Sequence, residues 1–271
     1  MLTKPNPRQP PSRSQRKEYE EFVAQRVEEY KNQLSRQKLL ELADEAVQQL
    51  FVEADGQLSF TEVVLTERVD ELIVKGLGLP TFRKWKPHHA RMRAAQRDPT
   101  HWALEPNCPL TDVAPRLEPE DLAVVVGKAA LPAAFFLAAH DVSVLFIDNN
   151  LSVVDAAETR AAAEALAYRF EALVIDFSGS WFPEFSATLV VLDPQILADA
   201  PTGEAKFFNL LKKLTVPGGV HCILPARQAS DGSRGVTTLP LHDYYTDWTS
   251  DPTTMSRDSA WLIATKLASS A

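Results

Sequence analysis

From residue 121 onward short apolar runs alternate with helical patterns, and that alternation limits the possible folds more than any other feature of the chain. The β-rich runs are 123–126, 142–147, 172–175, 188–192, 220–224 and 261–265. Helical patterns at 129–139, 152–166 and 204–214 lie between them. Strands apolar along their whole length, rather than at every second residue, belong to a sheet covered on both faces, and alternation with helices makes that sheet parallel. The right-handed crossover preference then gives a doubly wound α/β sheet. At 45% hydrophobic and 24% charged residues, the 271-residue chain has the apolar content to bury such a sheet.

The sequence before residue 120 has a different character. Residues 1–15 are basic, polar and proline-rich and are expected to be a disordered arm. Residues 16–97 form a helical extension. Ser14 to Val52 contains no Gly or Pro and carries apolar residues three and four apart, which fits one long helix or two in series. Asp55-Gly56 marks a turn, and "SFTE" from Ser59 reads as a capping box opening the next helix, which Gly76 and Gly78 close. Residues 98–119 carry five prolines and are expected to be an extended linker to the α/β domain, 120–271.

Charge separates the two parts. Residues 1–110 hold 17 Lys and Arg against 16 Asp and Glu, whereas the remainder holds 11 against 20. The acidic part is therefore unsuited to gripping a nucleic-acid backbone over a wide face. The basic residues concentrate in Thr81–Arg97, where Arg83, Lys84, Lys86, Arg91 and Arg93 surround Phe82 and Trp85. Such a cluster either holds phosphates and stacks a base, or is a solvated helix face with its aromatics turned inward. His88, His89, His101 and Cys108 match no zinc spacing, so no metal is expected. With two distant cysteines, no secretory pattern at the N-terminus and no apolar run of membrane length, a cytoplasmic protein is expected.

In a doubly wound sheet a ligand sits beyond the carboxyl ends of the strands. The residues ending the first four runs are Gly127, Asp148, Asp176 and Asp193. A carboxylate after the second strand can accept both hydroxyls of a ribose, and one after the third can accept from an adenine amine. Aspartates after strands also cap the following helix, which is the structural alternative for each taken singly. No Gly-x-Gly-x-x-Gly follows the first strand, which argues against a nicotinamide-dependent oxidoreductase.

Together these positions resemble the class I S-adenosylmethionine-dependent methyltransferases, over roughly Glu120 to Lys266. "LAVVVGKAALPAAFFLA" is similar to the family's first motif, "VLFIDNN" to its second strand with the ribose-binding acid, and "EALVIDFSG" to the adenine-side segment. "FFNLLKKLTVPGGVHCIL" resembles the helix, Pro-Gly-Gly turn and fifth strand. The resemblance implies a Rossmann-like, mostly parallel seven-strand-type sheet with an N-terminal helical extension. It implies S-adenosylmethionine as cofactor, with Gly127 and Ala129 under the methionine end, Asp148 and Asn149 along the ribose and adenosine, and Asp176 and Phe177 at the adenine. Asp193, Pro194 and Tyr244 would lie near the acceptor, and no catalytic residue is assigned. The sequence departs from the family at Val125, where an acid is usual, and at Ala129 and Leu131, where glycines are usual; Leu131 would crowd a ligand unless Pro132 turns the chain. Methyl transfer to an unnamed acceptor is the reading this supports. The alternative is an inactive scaffold of the same fold that binds a protein or nucleic acid through its helical region.

Overall fold

The computed structural model describes residues 14–53, 61–177, 182–197, 204–225, 244–250 and 261–267. The chain divides into two compact units, Met1–Met92 and Arg93–Ala271.

In the first unit the long helix-compatible stretch is two helices, α1 (Gln15–Gln33) and α2 (Arg36–Glu53). Leu34 between them is extended, and the hydroxyls of Ser14 and Ser35 accept from Lys17 N and Lys38 N at the two helix starts. Ser14 is thus a cap and Gln15 already helical, while 1–13 of the expected arm lie outside the described residues, as do Asp55-Gly56 and Ser59. The cap of α3 (Glu62–Gly76) is Thr61, whose hydroxyl accepts from Val64 N. The fourth helix, α4 (Phe82–Gln96), carries Pro87 in its interior, and the unit boundary falls within it. Trp85, 6% exposed, is packed by Tyr19, Phe22 and Phe82, and the His89 ring stacks on it at 4.1 Å. His89 in turn bonds Glu18 at 2.8 Å.

The second unit is a doubly wound α/β sheet. Its strands are β1 (Leu122–Val126), β2 (Ser143–Asp148), β3 (Phe170–Val174), β4 (Ala187–Leu192), β5 (Thr215–Ile223), β6 (Thr249–Ser250) and β7 (Leu262–Thr265). They lie in the order β3-β2-β1-β4-β5-β7-β6, parallel through β5, with β7 antiparallel to both its neighbours. Successive residues of β1 show why these strands are apolar throughout. Ala123 and Val125 enter the core under α6 (Leu131–Ala139) and α7 (Leu151–Ala163), while Val124 and Val126 enter the opposite core with Phe207, Phe208 and Leu211 of α8 (Glu204–Leu214). The expected Pro-Gly-Gly turn lies within β5. Thr215 pairs with Ala187 and Val220 with Leu189, so residues 216–219 bulge opposite Thr188.

Residues 98–119 are not an extended linker. Asp98 caps a 3-10 turn, Pro99–Trp102, a short helix α5 (Leu110–Val113) follows, and Trp102, Cys108, Leu110 and Ala114 are all buried in the core under α6. The cause lies in α6, whose residues Ala133–Ala139 are apolar on every side and fully buried. A helix of that kind needs cover on its outer face as well as against the sheet. Trp102 supplies it, with its ring 5.2 Å from Phe135 and its indole N–H donating to Gln96 O at 2.6 Å. Trp102→Ala is expected to lower stability by about 3–5 kcal/mol, the range for deleting a buried aromatic; denaturant unfolding measures it, and a loss below about 1 kcal/mol would show the segment is not core.

Candidate functional site

The carboxyl ends of β1, β2 and β4 meet at one point of the sheet edge. Gly127 follows β1 with φ +93°, and a Cβ there would stand 2.6 Å from Cβ of Asp193. Only glycine allows this approach, both for its backbone angle and for the space it leaves. Asp193, 5% exposed, uses that space. Its Oδ2 accepts from the amide of Ala129 at 2.9 Å and its Oδ1 from the amide of Gln195 at 3.0 Å, while its own amide donates to Val126 O. One side chain therefore ties the loop before α6 to the loop after β4.

Asp148 closes the other side. It is 3% exposed, and its Oδ1 accepts from the amide of Asn150 at 2.8 Å. Burial is the largest influence on its carboxyl and, with the nearby charge of Asp193, pushes its pKa above the ordinary carboxylate value; the amides of Asn150, Asn149 and Lys128 oppose this without reversing it. Asn150 caps α7 through Ser152 N. Lys128, Asp148, Asn149, Asn150, Asp193 and Gln195 line a cleft of about 190 Å³, with Val153 and Ile196 as its apolar wall.

The loop amides decide which ligands this cleft excludes. A phosphate-binding loop presents free N–H groups at a helix start. Here the amide of Ala129 is taken by Asp193, that of Ala130 by Gly127 O at 3.0 Å, and that of Lys128 faces Asp148. Two buried carboxylates in place of free donors disfavour an anion and suit hydroxyl groups or a cation.

Of the residues singled out from the sequence, Gly127, Ala129, Asp148, Asn149 and Asp193 converge here, with Pro194 buried just behind. Asp176, Phe177 and Tyr244 do not line the cleft. Asp176 is exposed two residues beyond β3, Phe177 packs edge-on against Phe207 at 5.1 Å, and Tyr244 stacks on Phe208 at 4.7 Å. Leu131 does not crowd the crevice: it opens α6 and packs against the core beneath, while Val125 is wholly buried in that core. Lys128, Asn150 and Gln195 escaped the sequence reading, although an Asn just before a helical pattern is a capping signal that pointed to Asn150.

Other reactive groups are structural. His221 is buried in β5 between the Thr215 hydroxyl, 2.8 Å away, and the Tyr245 hydroxyl, 2.7 Å away. Thr215 donates its only hydrogen to Leu211 O, so His221 Nε2 donates to Thr215 and Nδ1 accepts from Tyr245. Burial, helped by Lys212 and Lys266, lowers the His221 pKa to about 3 and keeps the ring neutral. Burial also pushes the Cys222 thiol up to about 12 and raises Cys108, so neither is a nucleophile. Among the described residues no three His, Cys, Asp or Glu side chains are grouped to hold a metal ion, and no helix is long and apolar enough to cross a membrane.

No protein-family model matches the chain, and no curated protein matches it. Solved structures do. An O-methyltransferase family protein from Burkholderia thailandensis is 17% identical with a TM-score of 0.45, the match covering 60% of this chain and 56% of that one. The N-methyltransferase NodS from Bradyrhizobium japonicum WM9 is 19% identical with a TM-score of 0.42, covering 54% and 86%. An RNA methyltransferase from Salinibacter ruber, in complex with S-adenosyl-L-homocysteine, is 16% identical with a TM-score of 0.41, covering 69% and 94%. The chain thus spans little more than half the length of the first of these. The sheet order, with β7 alone reversed, is the chain's own evidence. What the chain itself shows is a doubly wound, mostly parallel sheet of seven strands.

Asp148 provides a test of the site's electrostatics. A folded-state pKa raised above the unfolded value means that the carboxyl contributes stability below the unfolded value, near 3.8, and loses it as pH rises through the folded one. Asp148→Asn removes that charge, so the variant is expected to melt above the parent at pH 7, with the gap closing as pH falls below about 4. A variant that melts lower at pH 7 and equal at pH 4 would contradict the assignment.

Proposed function

We propose that this protein transfers a methyl group from S-adenosylmethionine to an acceptor, at the crevice formed by Gly127, Asp148 and Asp193. The observation that carries the reading is the pair of buried carboxylates at the ends of β2 and β4, set against a glycine loop whose amides are already used. That donor set suits an adenosyl ligand with a free diol and a positive sulfonium, and disfavours one linked through phosphates.

The cofactor's chemistry is an electrophilic methyl group carried on its sulfonium. The protein's part is to bind and orient. Asp148 accepts the ribose hydroxyls, and Asn149 lies along the adenosine. Asp193, held by Ala129 and Gln195, places a fixed negative charge where the cationic end would lie, and Gly127 lets the backbone approach it. Pro194 rigidifies the turn after β4 on the acceptor side. Positioning of this kind is the main contribution a protein makes to an in-line displacement. Two free, buried thiols fit a reducing, cytoplasmic setting.

One observation favours the alternative, a catalytically inactive scaffold of the same fold. The cleft, about 190 Å³, is smaller than the roughly 300 Å³ at which small-molecule sites usually begin. Thermal melting separates the two readings. A ligand specific for the folded state stabilises it by about 2.7 kcal/mol at a hundredfold excess over its dissociation constant. Methyl transfer predicts that millimolar S-adenosylmethionine or S-adenosylhomocysteine raises the melting temperature and that Asp148→Ala abolishes the rise. No shift with either compound supports the scaffold, and a shift unchanged by Asp148→Ala removes that residue from the site.

A further inference from the structure

Two side chains of the crevice are not used by the contacts that build it. Lys128 and Gln195 both line the cleft and are exposed, and neither side chain has a hydrogen bond or ion pair with another described residue. Their placement is coupled. Asp193 accepts from the amide of Ala129 with one carboxylate oxygen, at 2.9 Å, and from the amide of Gln195 with the other, at 3.0 Å. One buried carboxylate thus holds the backbone next to Lys128 and the backbone of Gln195 together, on the β4 side of the crevice.

What the pair can bind follows from its chemistry. A lysine ammonium offers three donors and no acceptor, and a glutamine amide offers two donors and one acceptor atom. The carboxylate on this side is already engaged, because each Asp193 oxygen holds an amide. Val125, two residues before Gly127, is apolar and wholly buried in the core, so it supplies no acceptor either. A ligand group on this side therefore meets an unpaired cation and an unpaired amide, but no carboxylate without a hydrogen bond. That set suits a ligand carboxylate and offers little to a ligand ammonium.

Net charge decides which kind of anion is accepted. One exposed ammonium beside two buried carboxylates leaves the crevice acidic, so a polyphosphate with its several charges stays disfavoured. An α-amino acid carries its own ammonium next to the carboxylate and adds no net charge. Its carboxylate can meet Lys128 while its ammonium stays in water and in the field of Asp193.

We propose that Lys128, with Gln195 beside it, binds the α-carboxylate of a nucleoside that carries an amino-acid tail, and that this carboxylate, not the amino group, is the part of the tail the protein recognises. The proposal rests on the reading of the crevice as an S-adenosylmethionine site, and it names the group by which that cofactor is told from other adenosines. Lys128 donates to the carboxylate through its ammonium, and the Gln195 amide supplies a further donor.

The test is calorimetric titration of the full chain with four ligands. They are S-adenosylhomocysteine, its analogue lacking only the carboxylate, its analogue lacking only the amino group, and methylthioadenosine, which lacks both. S-adenosylhomocysteine and the analogue without the amino group should bind within about threefold of each other, and the other two about tenfold more weakly, the loss expected for one charge-assisted hydrogen bond. Lys128→Met should weaken the first pair by about tenfold and leave the second pair unchanged. Lys213→Met, which removes the same charge from the exposed side of α8, should change none of the four. Gln195→Glu should weaken S-adenosylhomocysteine and spare methylthioadenosine; a gain in affinity would place the ammonium there and overturn the proposal. Circular dichroism reports folding, and should a variant not fold, the four ligands on the parent protein still decide. If the parent binds methylthioadenosine as tightly as S-adenosylhomocysteine, if the amino group carries the difference, or if Lys128→Met binds S-adenosylhomocysteine as the parent does, this proposal fails while the cofactor reading stands. Binding of none of the four by the parent overturns both.

Discussion

The contact between Gly127 and Asp193 is the constraint from which the second unit's chemistry follows. Because residue 127 has no side chain and a positive φ, the Asp193 carboxylate can pass beneath the loop after β1 and hold the amide of Ala129. That bond sets where α6 begins and leaves the adjacent β2 end to Asp148. It also fixes the sign of the crevice. A loop that in other doubly wound sheets would offer N–H groups to an anion is here closed by the protein's own carboxylate, and a second, Asp148, sits beside it with its pKa raised by burial first and by the nearby charge of Asp193 second. Placing two such groups together under partial burial works against stability, and arrangements of that kind concentrate where a ligand is meant to relieve them.

The rest of the unit supports that edge from behind. An α6 apolar on every side packs against β1, β2 and β3 and is covered by Trp102, with the Arg160 guanidinium lying over both Trp102 and Phe135. On the other face His221, Thr215 and Tyr245 form a fully satisfied neutral chain of hydrogen bonds. Burying a histidine at no hydrogen-bond deficit is how β5 carries a polar residue through the core, and burial keeps that imidazole neutral.

The sheet was legible because its signal is periodic and local. Every expected strand exists, and the acids at the ends of β2 and β4 sit where the runs predicted. What was hidden depends on contacts distant in sequence. Five prolines made 98–119 read as a linker, because nothing local shows that α6 needs an outer cover; Trp102 was the single clue. The strand run at 172–175 is β3, Phe170–Val174, which leaves Asp176 beyond the strand and Phe177 turned toward Phe207. The basic segment around Phe82 and Trp85 left two readings open, a stacking platform or a solvated face with its aromatics turned inward. Only the packing of Tyr19 and Phe22 from α1, distant in sequence, decides for the second. Arg93 likewise found its partner Asp141 across 48 residues.

The central claim is that the crevice selects an adenosyl ligand and refuses phosphates. Calorimetric titration of the full chain with S-adenosylhomocysteine and, in parallel, with adenosine diphosphate tests it directly. The account predicts saturable binding of S-adenosylhomocysteine and none of adenosine diphosphate at millimolar concentration; adenosine diphosphate binding as tightly, or neither compound binding, would contradict it.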